Sequence, residues 1–240
     1  PPKSLCKLAD SFAEHVATEI VKHRLKDGDP EHRTFATPRR LAVLISDVRT
    51  KAPDSEHSIE GPPSSNPKAV EGFARKHKLS PQSLERRQST KGEIVVANFT
   101  LPGVELESVL AQIVGHALSK VSVPKTMRWG DGEVQFVRPV HGLVMMHGAR
   151  VVPGTVLGIQ AGRTTHGHRF MGLGSIALEN ADEYEARLRD DGMVIADFAA
   201  RRAEIERQLR SQTTRLGARL GAFGDLLDEV TALVAHPSVY

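Results

Sequence analysis

One stretch of the chain, residues 124–170, has an excess of basic over acidic side chains. No Asp or Glu occurs between Glu133 and Glu179, and the interval contains Arg138, Arg150, Arg163, Arg169, His141, His147, His166 and His168. Arginine forms forked hydrogen bonds with phosphate oxygens, so this pattern predicts a surface for an anion or a nucleic acid. The alternative is an ordinary solvated sheet face, because exposed arginines are common on amphipathic strands.

Two neighbouring groups of residues could extend this surface. Lys125 and Arg128 precede Trp129, the single Trp, which could stack on a base or lie partly buried in the core. Arg39 and Arg40 precede a short apolar run, where two adjacent guanidinium groups could clamp a phosphate or form a plain surface pair.

The candidate binding residues follow from these patterns. They are Arg39, Arg40, Lys125, Arg128, Trp129, Arg138, His141, Arg163, His166, His168 and Arg169. Residues 134–178 contain no carboxylate that could pair locally with arginines. We therefore expect one cationic surface formed by Arg128, Arg138, Arg163 and Arg169.

The sequence offers little basis for catalysis. It lacks a Gly-x-x-x-x-Gly-Lys-Ser/Thr loop, a Gly-x-Ser-x-Gly elbow and a His-Glu-x-x-His helix. His166 and His168 could contribute to a metal site in a self-contained metal-dependent enzyme, but neighbouring arginines oppose cation binding. We therefore expect no catalytic residues and no metal, and we interpret these histidines as polar surface or structural side chains.

Composition predicts a globular protein of the cytoplasm. The 240 residues are 40% hydrophobic with a formal net charge of +3, so the chain can bury a core and is no polycation. Its single cysteine, Cys6, excludes an internal disulfide and fits a reducing compartment. We find neither an apolar run long enough for a membrane span nor a signal peptide, and we expect no membrane partner.

Apolar periodicity predicts alternating helices and strands. Helices are expected over 4–25, 69–78, from Ser80-Pro81, over 106–117, from Asn180 and from Asp197. Strands are expected at 41–45, 94–97, 134–137, 143–146 and 151–159, the last three as an antiparallel meander. Four prolines in 51–68 predict a mobile loop or linker there.

The last helix should bury an apolar stripe and expose its arginines. Its stripe is expected to comprise Phe198, Ile205, Leu209, Leu216 and Leu220, with the other faces covered by Arg201, Arg202, Glu206, Arg207 and Arg210. We predict an α+β fold with an antiparallel sheet region packed with amphipathic helices, in two subdomains. The expected segments are 1–60 (helix and strand), 61–180 (α+β with the basic strands) and 181–240 (helical, continuing further).

Several blocks resemble a known family. They are FATPRRLAVL (35–44), EGFARKHKLS (71–80), KGE (91–93), PKTMRWGDGEVQFVRPVH (124–141), LGIQAGRTTHGHRF (157–170) and VIADFAARRAEI (194–205), and they resemble the β subunit of bacterial glycyl-tRNA synthetase. The resemblance implies the amino-terminal part of a longer glycine–tRNA ligase subunit, with the α subunit and tRNA(Gly) as partners. It also implies that the α subunit activates glycine with ATP and Mg²⁺, that this part has no cofactor, and that the β subunit supplies tRNA binding.

Two departures from the family pattern concern the basic stretch and the loop before it. The segment between Gly61 and Phe73 is shorter than expected of the family, and Gly142 stands where an aromatic residue is usual. Two interpretations of the basic strip remain. It either holds the tRNA backbone or, as a scaffold, docks an acidic face of the α subunit without touching RNA.

Overall fold

The computed structural model describes residues 4–90, 92–123, 125–129 and 132–239. Its helices are α1 (Leu5–Lys22), α2 (Pro67–Lys76), α3 (Leu106–Lys120), α4 (Tyr184–Asp190), α5 (Phe198–Arg215) and α6 (Gly224–Thr231). The longer strands are β1 (His32–Thr37), β2 (Arg40–Ile45), β3 (Ser55–Pro63), β4 (Glu85–Ser89) and β5 (Gly92–Leu101). All named strand pairs are antiparallel, and the predicted α+β class is confirmed.

Eight two-residue strands occupy the basic region and the segment after it. They are β6 (Met127–Arg128), β7 (Gln135–Phe136), β8 (Met146–His147), β9 (Arg150–Val151), β10 (Thr155–Val156), β11 (Ile159–Gln160), β12 (Thr164–Thr165) and β13 (Ile176–Ala177). Each pairs with one neighbour only, so the predicted meander is wrong. Tight turns interrupt the meander, since Gly148 and Gly158 adopt φ of 56° and 76°, in the left-handed region that favours glycine.

Contacts divide the chain into two compact units, Pro1–Thr50 with Glu105–Tyr240, and Lys51–Val104. These units differ from the three segments expected from the sequence, and residue 60 lies within β3. In the described residues, no helix is long and apolar enough to cross a membrane.

The first unit is built on α1, which packs against α3 and the β1–β2 hairpin. Its apolar stripe is buried as the spacing predicted, and it comprises Ala9, Phe12, Ala13, Val16, Ala17 and Ile20. The expected strand at 41–45 is β2, and it pairs with β1 so that Thr37 lies opposite Arg40 across a two-residue turn. A second apolar cluster contains Phe35, Ile176, Leu178, Leu188, Val194 and Ala196.

The carboxyl-terminal helices correct one detail of the sequence prediction. The helix α5 begins directly after Asp197, as expected, and Asp197 caps it, since its Oδ1 accepts a hydrogen bond from the Ala200 backbone N–H at 2.7 Å. The helix ends at Arg215, followed by Gly217 in the left-handed region at φ 65°. Leu216 is therefore outside the helix and 72% exposed, so the predicted stripe does not extend to it.

The second unit is a three-stranded sheet, in the order β3-β5-β4, with α2 beside it. The predicted linker at 51–68 is wrong, because residues 55–63 form an edge strand, where prolines such as Pro62 and Pro63 are tolerated. The helix expected from Ser80 is only a 3₁₀ turn, Pro81–Ser83, that leads into β4. Arg86 and Arg87 consequently lie on a strand rather than on a helix.

Candidate functional site

A cavity of about 1720 Å³ lies within the first unit. Its walls are apolar side chains of α1 and α3, the β2 strand, and the segments 136–148 and 164–169; they include Leu8, Phe12, Val16, Leu110, Val114, Val43 and Leu143. Pockets for small ligands usually measure about 300–1,000 Å³. The cavity is therefore larger than a small ligand requires.

Basic side chains predominate among the charged residues that line this cavity. Six of the eleven predicted binding residues are among them, namely Arg39, Arg40, Arg138, His141, His166 and Arg169. Within the described part of the chain the acidic residues of the lining are Asp47 and Asp182. The structure thus brings together basic candidates that are more than 120 residues apart in sequence. Their charges favour an anionic ligand.

Arg40 connects two sides of this site. It begins β2, and its Nη2 donates hydrogen bonds to the carbonyl oxygens of His166 and, at 3.2 Å, Gly167. Burial lowers the pKa of the Arg40 guanidinium, and the adjacent Arg39 acts in the same direction. Arg40 therefore anchors a loop, whereas Arg39 is exposed in the turn and available for contact.

The two predicted histidines of the loop bind backbone groups. The Nδ1 of His166 donates to the carbonyl oxygen of Gly174 at 2.7 Å, and the Nδ1 of His168 accepts from the Phe170 backbone N–H at 3.3 Å. Among the described residues, no group of three or more His, Cys, Asp or Glu side chains could hold a metal ion. These imidazoles thus help to shape the loop.

The remaining candidates lie outside the cavity lining. Arg163 is half-buried, and its Nη2 donates to the Ala149 carbonyl oxygen at 3.2 Å while its Nη1 lies 3.4 Å from Glu179 Oε2. Lys125 and Arg128 are exposed, and Trp129 is partly buried. Of the four arginines expected on one surface, Arg138 and Arg169 line the cavity, and the other two do not.

Sequence reasoning overlooked Phe170, which follows Arg169. Phe170 is 85% exposed, and the Arg169 guanidinium lies over its ring at 5.7 Å from the ring centroid. The sequence around Phe170 did contain a signal for its exposure. A large aromatic residue within the glycine-rich segment HGHRFMGLG is expected in a turn rather than in a buried helix or strand.

The whole chain, residues 1–240, matches the family model described as glycyl-tRNA synthetase beta subunit. The chain belongs to this family. It is similar to the glycine–tRNA ligase beta subunits of Aromatoleum aromaticum (46% identical), Neisseria meningitidis serogroup C (41%) and Serratia proteamaculans (39%), in each case over 100% of this chain. It spans about 36% of the length of these relatives.

Two of the blocks that resemble the glycyl-tRNA synthetase β subunit meet at the cavity. The first, residues 35–44, forms most of the β1–β2 hairpin, and the second, residues 157–170, runs from β11 into the loop that Arg40 holds. In this member of the family, the hairpin and the loop therefore act as one structural element that presents Arg39 and Arg169.

Proposed function

We propose that this chain is the amino-terminal part of a glycine–tRNA ligase β subunit and that it contributes tRNA binding. The observation that carries this proposal is the charge of the cavity lining, which contains four arginines and three histidines but, among the described residues, two aspartates. Exposed arginines on a rigid frame suit the phosphate backbone, which positions an RNA without reading its sequence. The exposed lining residues proposed to contact phosphate are Arg39, Arg138 and Arg169.

Under this proposal, glycine activation with ATP and Mg²⁺ takes place on a separate α subunit, and the complex works in the cytoplasm. The sequence carries no Gly-x-x-x-x-Gly-Lys-Ser/Thr phosphate-binding loop, in keeping with that division. Residues 1–240 alone, supplied with glycine, ATP and tRNA(Gly), should therefore produce no glycyl-tRNA. Charging by this isolated chain would overturn the assignment of catalysis to the partner.

The decisive experiment measures tRNA affinity against salt for the complete β subunit assembled with its α subunit. Arg138→Ala and Arg169→Ala should each weaken binding and flatten the salt dependence by about one unit of slope. Arg189→Ala provides the matched control, because Arg189 is exposed, pairs with Asp190 at 2.8 Å and lies on α4 outside the cavity lining. Its affinity and slope should equal those of the wild type.

A second candidate function is docking of the α subunit as a scaffold. It is favoured by the apolar walls and the size of the cavity, which suit a protein segment better than an RNA backbone. Under this alternative, Arg138→Ala and Arg169→Ala should weaken association of the subunits in sedimentation experiments, and the tRNA salt slope of the assembled complex should remain unchanged.

A further inference from the structure

The loop between β12 and β13 presents apolar side chains to solvent. Phe170 is 85% exposed, Met171 49% and Leu173 58%, and the three lie within four consecutive residues. Single exposed apolar residues are common on protein surfaces, but a cluster with a nearly uncovered aromatic ring marks a contact site.

Backbone hydrogen bonds hold the loop in place. The His168 N–H donates to the Gly192 carbonyl oxygen at 2.6 Å, and the Leu173 N–H donates to the Asp191 carbonyl oxygen at 2.9 Å. Gly172 packs so closely that a Cβ there would lie 2.1 Å from the Gly192 oxygen. The tip is thus held from both sides, and binding through it requires little further ordering of the chain.

The chemistry of the tip favours an unpaired nucleobase. Arg169 lies over the Phe170 ring, and the His168 imidazole meets the ring edge at a centroid distance of 6.3 Å. An aromatic platform beside cationic side chains is the combination used for single-stranded nucleic acid, since bases stack on the ring while phosphates meet the cations. Arg169 also lines the cavity, so the loop tip adjoins the basic residues proposed to contact phosphate.

We propose that Phe170 is a stacking platform for an unpaired base of the bound tRNA. This inference rests on the proposed tRNA-binding function and adds a base contact to its phosphate contacts. One face of the ring meets Arg169, and the base stacks on the other. Because every base has an aromatic face, the contact is tolerant of sequence and selects unpaired over paired nucleotides.

The test uses the complete β subunit assembled with its α subunit and a set of tRNAs, each with 2-aminopurine at one single-stranded position. Stacking should quench the fluorescence of at least one labelled position on binding to the wild type, and Phe170→Ala should abolish that quenching. Phe170→Ala should also weaken tRNA binding about 5- to 150-fold without changing the salt slope, because no phosphate contact is lost. Phe170→Tyr should restore both properties.

Leu216→Ala is the matched control, since Leu216 is an apolar side chain that is 72% exposed but lies outside this loop and outside the cavity lining. It should bind tRNA like the wild type. Equal affinity and equal quenching in the wild type and Phe170→Ala would overturn the inference. If Arg138→Ala still lowers the salt slope in that case, the proposed function stands without it. A different outcome would also overturn the inference. If Phe170→Ala weakens association with the α subunit while the tRNA affinity of the assembled complex is unchanged, the loop tip is a protein contact.

Discussion

The Arg201 Nη2 donates a hydrogen bond to the carbonyl oxygen of Ala36 at 2.7 Å, although the two residues are 165 positions apart. The Arg201 side chain is fully buried and also donates to the carbonyl oxygens of Thr231 at 3.0 Å and Ile195 at 2.6 Å. Within the described residues, all of its hydrogen-bond acceptors are backbone carbonyl oxygens. This one side chain therefore ties β1, the start of α5 and the end of α6 together through neutral acceptors.

Arg201→Met should strongly destabilise the first unit. The substitution keeps an apolar stem of similar length but leaves several buried carbonyl groups without a donor, at roughly 1–3 kcal/mol for each. We expect a loss of at least about 3 kcal/mol in the free energy of unfolding, measured by denaturant titration. Arg215→Met, on an exposed position at the end of the same helix, should change it by less than about 0.5 kcal/mol. Equal stabilities of the two variants would contradict the role of Arg201.

Arg201 also shows where sequence reasoning fails. The sequence predicted the helix, its start at Asp197 and the burial of Ile205, since capping and apolar spacing are local properties. It placed Arg201 on an exposed face because arginine is rarely buried. The spacing 198, 201, 205 puts Arg201 in the apolar stripe, but its carbonyl acceptors come from distant segments and no local pattern indicates them.

The candidate site has the same mixture of predictable and unpredictable parts. The acid-free interval identified basic residues that line one cavity, because charge composition can be read directly from the sequence. The sequence could not show that Arg40 holds the carbonyl groups of His166 and Gly167, since that contact depends on tertiary packing. For the same reason it could not separate Arg39, which is exposed, from its neighbour.

The loop that carries Phe170 should depend on one of its two nearby glycines. A Cβ on Gly172 would lie 2.1 Å from the Gly192 carbonyl oxygen, whereas a Cβ on Gly174 would meet nothing within 4 Å. Gly172→Ala should therefore displace the loop, lower stability by about 1–3 kcal/mol and speed proteolysis near Phe170. Gly174→Ala should leave thermal melting and the proteolysis rate close to wild type. The reverse order of effects would show that the loop is held differently.

Tyr184 should make stability sensitive to alkaline pH. Burial raises the pKa of its phenol to about 12, with the Arg40 guanidinium opposing that rise. Because the unfolded phenol titrates near 10, the stabilising contribution is complete below about pH 10 and is lost as pH rises towards 12. Between pH 9 and pH 11 the wild type should lose about 1 kcal/mol more unfolding free energy than Tyr184→Phe. Parallel pH profiles of the two proteins would rule out this contribution.

Arg163 should act in folding rather than in binding, in contrast to Arg138. Its guanidinium donates to the carbonyl oxygens of Ala149 at 3.2 Å and Leu178 at 3.4 Å, and it pairs with the exposed carboxylate of Glu179. Arg163→Ala removes both carbonyl contacts, each of which contributes about 0.5–1.5 kcal/mol, so we expect a loss of roughly 1–2 kcal/mol in unfolding free energy.

Glu179→Gln separates the two kinds of contact that Arg163 makes. It weakens only the ion pair, and because the Glu179 side chain is 78% exposed the expected loss is below about 1 kcal/mol. In the assembled α–β complex, neither variant should change the salt slope of tRNA binding, whereas Arg138→Ala should lower it by about one unit. A lowered slope in Arg163→Ala with unchanged stability would instead place Arg163 on the RNA-binding surface, because loss of a phosphate contact changes the salt slope whereas loss of an internal hydrogen bond changes the free energy of unfolding.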